Sequence, residues 1–175
     1  MKILPFPNLR QTHSYDCGAK AAQSVLAYYG TDVPEKEIMS LAGTNKNGTF
    51  IKGIRKVFKK YGLKTKIGKM TASSIKRHID KRTPVIVLLQ AWTDKENVNW
   101  EENWEDGHYA VVIGYNSTKL FFEDPSSVAR VYLTLEEFEK RWHDKGVSGK
   151  KYINYGIAVY GKRRRYDPKQ AVHMD

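Results

Sequence analysis

The apolar residues of this chain change their spacing once, and the change governs what it can fold into. Between Cys17 and residue 80 they recur mainly at the three-to-four-residue interval of amphipathic helices. After Pro84 they fall in short β-branched and aromatic runs bounded by turn residues, the pattern of strands. Helices first and strands afterwards define an α+β chain, its N-terminal helices packed on a C-terminal, mainly antiparallel sheet. At 175 residues the chain is long enough for one core. We expect a single domain over 1–161 and a basic polar tail over 162–175.

Ala21, Ala22, Val25, Leu26 and Tyr29 share one helix face that starts near Cys17, and Gly30 stands where a helix end favours glycine. A second helix is expected from Pro34 to Leu41, closed by Gly43. Thr49 is expected to cap a third, with Ile51, Ile54, Val57, Phe58 and Tyr61 on its apolar face. The opposite face, with Lys52, Arg55, Lys56, Lys59 and Lys60, reads as solvated. A strand over 63–67 and a short helix around Ile75 and Ile79, begun by Thr71 or Ser73, follow. Strands are then expected over 85–89, 109–115, 120–123, 130–133 and 153–160, with one helix over 135–142.

The formal net charge of +11 favours anionic partners in general, but the cations are spread over nearly every segment, and nucleic acid is not the expected partner. No apolar run approaches the roughly 18 residues of a membrane helix. Pro5 and Pro7 interrupt the start, which excludes a signal-peptide core, and a cytoplasmic location is expected. The single cysteine forbids an internal disulfide and argues against a cysteine zinc site, and no cofactor or metal is read from the sequence.

Cys17 falls at the start of the first helix, where unpaired backbone N–H groups and the helix dipole favour a thiolate. Gly18 beside it is expected to leave room for a substrate backbone. Gly107-His108 opens one strand, and Asp124 ends the next, before Pro125. A two-residue turn at Ser117-Thr118 with regular pairing would set Asp124 opposite Val111, on the wrong face from His108. A partnership of His108 and Asp124 therefore requires an odd-length turn or a bulge. Taken one at a time, these residues read as a buried thiol, a strand-end histidine and a turn aspartate. Together they offer a nucleophile, a base and its orienter, with the Gln11 amide and the Cys17 N–H as donors to an oxyanion.

Gln11-Thr12-His13-Ser14-Tyr15-Asp16-Cys17-Gly18-Ala19, continuing into Gln23 to Gly30, closely resembles the catalytic helix of the papain-like cysteine peptidases that process bacteriocin leaders, the double-glycine leader peptidases. Gly107-His108-Tyr109-Ala110 and the residues to Tyr115, with Phe122-Glu123-Asp124-Pro125-Ser126, resemble that family's histidine and aspartate motifs. The resemblance spans residues 8–161 in the order Cys, His, Asp. It implies a papain-like fold and a peptide or protein substrate. Gln11 would be the oxyanion donor, Cys17 the nucleophile, His108 the base and Asp124 its orienter. Members that cut double-glycine leaders are usually the front part of a membrane transporter, whereas this sequence has no membrane segment and reads as a stand-alone member. Lys20 replaces the small residue expected one turn into the helix, and is expected to point to solvent.

The segment 93–106 holds six acids against one base and runs into His108, so it is expected at the rim of the cleft, where it would select basic peptides. An exposed loop offsetting a basic body is the competing reading. Gly18, Gly107, Trp104 and Glu105 are the candidate substrate-binding residues. Trp92, Trp100 and Trp104 would either line a groove or anchor the loop. The rival functions are acyl transfer by the same residues and a peptide-binding module of the same fold without turnover.

Overall fold

The computed structural model describes residues 1–162, 166–171 and 173–174, so most of the expected basic run 162–165 lies outside the described residues. The elements are β1 (Lys2–Ile3), α1 (Cys17–Tyr28), α2 (Glu35–Ala42), α3 (Ile51–Lys60), β2 (Lys64–Lys69), α4 (Ala72–Asp80), β3 (Val85–Gln90), β4 (Gly107–Tyr115), β5 (Lys119–Glu123), β6 (Val131–Thr134), α5 (Leu135–Arg141), β7 (His143–Lys145), β8 (Lys151–Ile153) and β9 (Tyr155–Tyr160). One sheet runs β2-β9-β3-β4-β5-β6 with β1 added on β4, and its pairings are antiparallel. β7 and β8 form a separate ribbon. This is the expected α+β architecture, with five helices among the described residues packed on a mainly antiparallel sheet.

Helix α1 is embedded, packed by β4, α2 and α3. Ala19, Ala21, Ala22, Val25 and Leu26 are fully buried, and only Gln23 and Ala27 are partly open. Gly30 lies just past its end at φ 77°. The cap expected at Thr49 is not formed. Helix α3 starts one residue later behind Phe50 with no side-chain cap, because the Thr49 hydroxyl is bonded to that of Thr44 at 2.8 Å. Thr71 does cap α4, through a reciprocal pair of bonds with Ser74.

Strand β3 lies between β9 and β4, and α4, α5 and β7 also pack on it, so its side chains are buried along its whole length, which explains its apolar run. The strand expected over 153–160 is broken at Asn154, whose φ of 56° ends β8 and lets β9 turn back into the main sheet. The β4–β5 hairpin carries the feature that the site depends on. Ser117 and Thr118 form a two-residue turn closed by Asn116 N–H on the Lys119 carbonyl at 3.0 Å. Tyr115 pairs with Leu120 and Gly114 with Phe121, but Val112 pairs with Phe122 and Val111 with Glu123, so Ile113 is an extra residue, a β-bulge. The bulge lies where β1 joins β4, the Leu4 N–H bonding the Ile113 carbonyl at 2.8 Å. Continued by one residue, the shifted register sets Asp124 level with Ala110, on the face shared with His108.

Candidate active site

Cys17 is the first residue of α1, and Asp16 holds the N-cap position without capping it. Asp16 Oδ2 instead accepts the backbone N–H groups of His13 at 2.9 Å and Thr12 at 3.2 Å. The first amides of α1 are thus left without a side-chain cap beside the sulfur, where they favour negative charge.

His108 is 6% exposed, and its Nε2 lies 2.9 Å from Asp124 Oδ1. The Cys17 side chain acts on the same ring. Burial alone would lower the imidazole pKa. The hydrogen bonds to Asp124 and Cys17 and the charges of both outweigh it, and the pKa is pushed up to about 10. Asp124 shows the reverse balance. Burial works to raise its pKa, but donation from His108, from the Ser126 N–H at 2.7 Å and from Trp92 Nε1 at 3.1 Å holds the carboxyl below its usual range. Gln11 is stitched to the same loop. Its N–H donates to the Pro125 carbonyl at 2.9 Å, its Oε1 accepts the Ser126 hydroxyl at 3.1 Å, and its Nε2 donates to the His13 carbonyl at 2.8 Å. The structure therefore gathers Gln11, Cys17, His108 and Asp124 from three separate stretches of chain.

Cys17 opens on a cavity of about 240 Å³, whose lining includes Tyr15, Thr49, Tyr109 and Tyr152, with Lys46 and Lys145 also contributing. Gly107 lines it too. A β-carbon there would come within 2.4 Å of Asp144 Oδ1, a carboxylate tied to Gln90 Nε2 at 3.1 Å. Gly18 does not open towards the cavity. The space a β-carbon would take is filled by Thr49 at 2.8 Å and the Tyr109 ring at 2.9 Å, so this glycine serves close packing. Trp104 and Glu105 are also outside the cavity lining. Trp104 lies against the His143 ring, centroids 4.4 Å apart, and Glu105 pairs with Lys95. None of residues 93–106 lines the cavity. The loop is fastened to β7 and α5 instead, through His143 Nε2 and the Asn103 carbonyl at 2.7 Å and through Arg141 stacked on Trp100 at 3.8 Å.

Lys20 is the largest departure from expectation. It is buried, with Nζ 2.9 Å from Glu35 Oε1, because α1 leaves no solvent face at that position. Sequence reasoning also did not identify Trp92 as a donor to Asp124, Ser126 as a bridge to Gln11, or the β7–β8 ribbon as a wall of the cavity. Ser126 alone carried a signal, two residues after Asp124 in a turn sequence.

The model of the Peptidase C39 family matches residues 6–150, and the chain belongs to that family. It is 26% identical over 132 residues to the lactococcin-G-processing and transport ATP-binding protein LagD of Lactococcus lactis subsp. lactis, covering 75% of this chain but 17% of LagD. Among solved structures, the peptidase domain of Streptococcus ComA, a bifunctional ABC transporter, superposes with a TM-score of 0.64 at 26% identity, covering 87% of this chain and 94% of that one. A putative C39-like peptidase from Bacillus anthracis gives a TM-score of 0.69 at 15% identity, over 94% and 100% of the two chains, a likeness of fold. Among the described residues no helix is long and apolar enough to cross a membrane.

Proposed function

We propose that this chain is a cysteine peptidase that cleaves peptide substrates through an acyl-enzyme. Cys17 is the nucleophile, His108 the acid and base, Asp124 its orienter, and Gln11 with the Cys17 N–H the oxyanion donors. The observation that carries this reading is the buried His108 ring, bonded to the Asp124 carboxylate at 2.9 Å and acted on by the Cys17 side chain. The processing role named for LagD and membership of a peptidase family support the reaction class.

In this reading the Cys17 thiolate attacks the substrate carbonyl, and negative charge moves to its oxygen, facing the Cys17 N–H and the free hydrogen of Gln11 Nε2. Collapse breaks the C–N bond as His108 passes its proton to the departing amine. The resulting thioester is hydrolysed by water, whose proton returns to His108. Asp124, fixed by Trp92 and Ser126, keeps the ring in the orientation both transfers need.

Iodoacetamide alkylation at pH 6, followed by intact mass, tests the pair directly because the chain has one thiol. Wild type should react at least about tenfold faster than His108→Ala. Equal rates would overturn the reading, as would peptide turnover that survives Cys17→Ala.

A further inference from the structure

One turn after Cys17, α1 carries a lysine whose side chain is 9% exposed. A buried ammonium is costly unless its charge and all its protons are answered. Lys20 Nζ is held by Glu35 Oε1 at 2.9 Å and by Gln23 Oε1 at 2.8 Å, and Gln23 is itself fixed by donating to the Val33 carbonyl at 2.8 Å. The other oxygen of Glu35 accepts the Thr12 hydroxyl at 2.6 Å. Thr12 and His13 present their N–H groups to Asp16 Oδ2, and the second Asp16 oxygen is buried towards Glu35. The two carboxyl groups act on each other. Burial and Glu35 raise the Asp16 pKa, despite the His13 and Thr12 N–H groups, while the Thr12 hydroxyl and Lys20 hold Glu35 low against its own burial. The cluster knits α1 and α2 to the segment that carries Gln11, whose amide donates to His13 inside the same segment.

An aspartate just before a helix would ordinarily turn onto its first amides. Here that carboxyl is drawn the other way, and none of its bonds goes to α1. A carboxylate on those amides would set negative charge beside the sulfur and compete with the charge that develops in the reaction.

We propose that Lys20 and Glu35 are positioning residues of the Cys17 site: their ion pair fixes Thr12 and Asp16, so that the Gln11–Asp16 segment is held in place and the Asp16 carboxyl is kept off the helix start. The inference rests on the peptidase reading of Cys17 and Gln11. Neither Lys20 nor Glu35 lines the cavity onto which Cys17 opens.

The test is steady-state kinetics of Lys20→Met, Glu35→Gln, the double variant and Lys20→Arg on a peptide that the wild type cleaves, normalised to thiol titrated by iodoacetamide. Lys20→Met and Glu35→Gln should each lower kcat by about tenfold or more with KM within about twofold, since misplacement of catalytic groups acts on the transition state. The double variant should lose less than the product of the two, and Lys20→Arg should recover most of the rate. Amide hydrogen exchange over residues 11–16, which needs no substrate, should quicken by about tenfold in Glu35→Gln. Unchanged kcat with only a lower Tm, or unchanged exchange over 11–16, would overturn the proposal while leaving the peptidase reading intact. Absence of Cys17-dependent turnover in the wild type would overturn that reading and this proposal with it.

Discussion

Trp92 donates its indole Nε1–H to Asp124 Oδ2 at 3.1 Å from a backbone held in the left-handed region, at φ 59°. A bulky residue there costs of order 1–3 kcal/mol, so the conformation persists only because its surroundings enforce it. Trp92→Phe keeps an aromatic ring, though a smaller one, and removes the donor. It should lower kcat about three- to tenfold, because a less restrained Asp124 orients the imidazole less well, and should cost about 1–3 kcal/mol of stability. Kinetics and thermal unfolding measure the two effects, and an unchanged kcat would show that Trp92 does not act through Asp124.

The acid–base behaviour of the site follows from His108. Its pKa in the fold, about 10, stands above the ordinary 6.5, so the ring keeps its proton across the neutral range. The associated stability is fully present below 6.5 and is lost as the pH rises through about 10. The alkaline limb of kcat/KM should therefore lie near pH 10. Asp124→Asn should draw that limb towards neutrality, because the largest influence raising the imidazole pKa is removed. A profile from pH 5 to 11 for both proteins decides it, and coincident limbs would contradict the assignment.

Glu123, one residue before Asp124, is 3% exposed. Burial pushes its pKa up to about 7, against the pull of the Leu9 N–H and Arg130. A carboxyl whose pKa is higher in the fold favours the fold while protonated. Its contribution is present below 4.5 and is lost as the pH rises through about 7. Glu123→Gln should flatten the decline in Tm between pH 5 and 8, a difference of about 2 kcal/mol or roughly 4–8 °C. Parallel Tm curves for the two proteins would count against it.

Gly18→Ala tests the close packing beside the nucleophile. The new β-carbon would stand 2.8 Å from Thr49 and 2.9 Å from Tyr109, and it cannot rotate away. A loss of about 2 kcal/mol, or roughly 4–8 °C in Tm, is expected from the overpacking. If the substitution altered only KM and left Tm unchanged, Gly18 would after all belong to substrate binding.

The helices were legible because their ends are marked chemically, α1 by Gly30 and α2 by Gly43, and because their periodicity is strong. The need for either an odd-length turn or a bulge between His108 and Asp124 is also legible, since strand alternation is rigid enough to calculate with, and the fold uses the bulge. What escaped depends on tertiary contact. β1 has two residues and exists only by pairing on β4. The β7–β8 ribbon has three residues on each side, too few for alternation to register, yet Lys145 of this ribbon helps line the cavity. Lys20 was read as solvated because a lysine usually is, and α1 proved to be covered on almost every side. The acidic segment 93–106 was placed at the cleft because it is adjacent in sequence to His108, but Asn103 and Trp100 fasten it to β7 and α5.

The bulge at Ile113 also governs which changes of length the hairpin can absorb. Regular antiparallel pairing around a two-residue turn encloses an even number of residues between any facing pair, whereas Ala110 and Asp124 enclose an odd number. One residue added at Ser117-Thr118 would make the count even and allow a bulge-free hairpin with the same two residues aligned. Two added residues would leave a bulge or an odd-length turn necessary. A slip of one residue in the present chain would turn Asp124 away and bring Glu123 to the His108 face. Relatives with an odd count between the histidine strand and the aspartate must therefore carry either a bulge or an odd-length turn, and those with an even count can pair regularly around a two-residue turn, a rule that can be checked by counting residues in their sequences and comparing their hairpins.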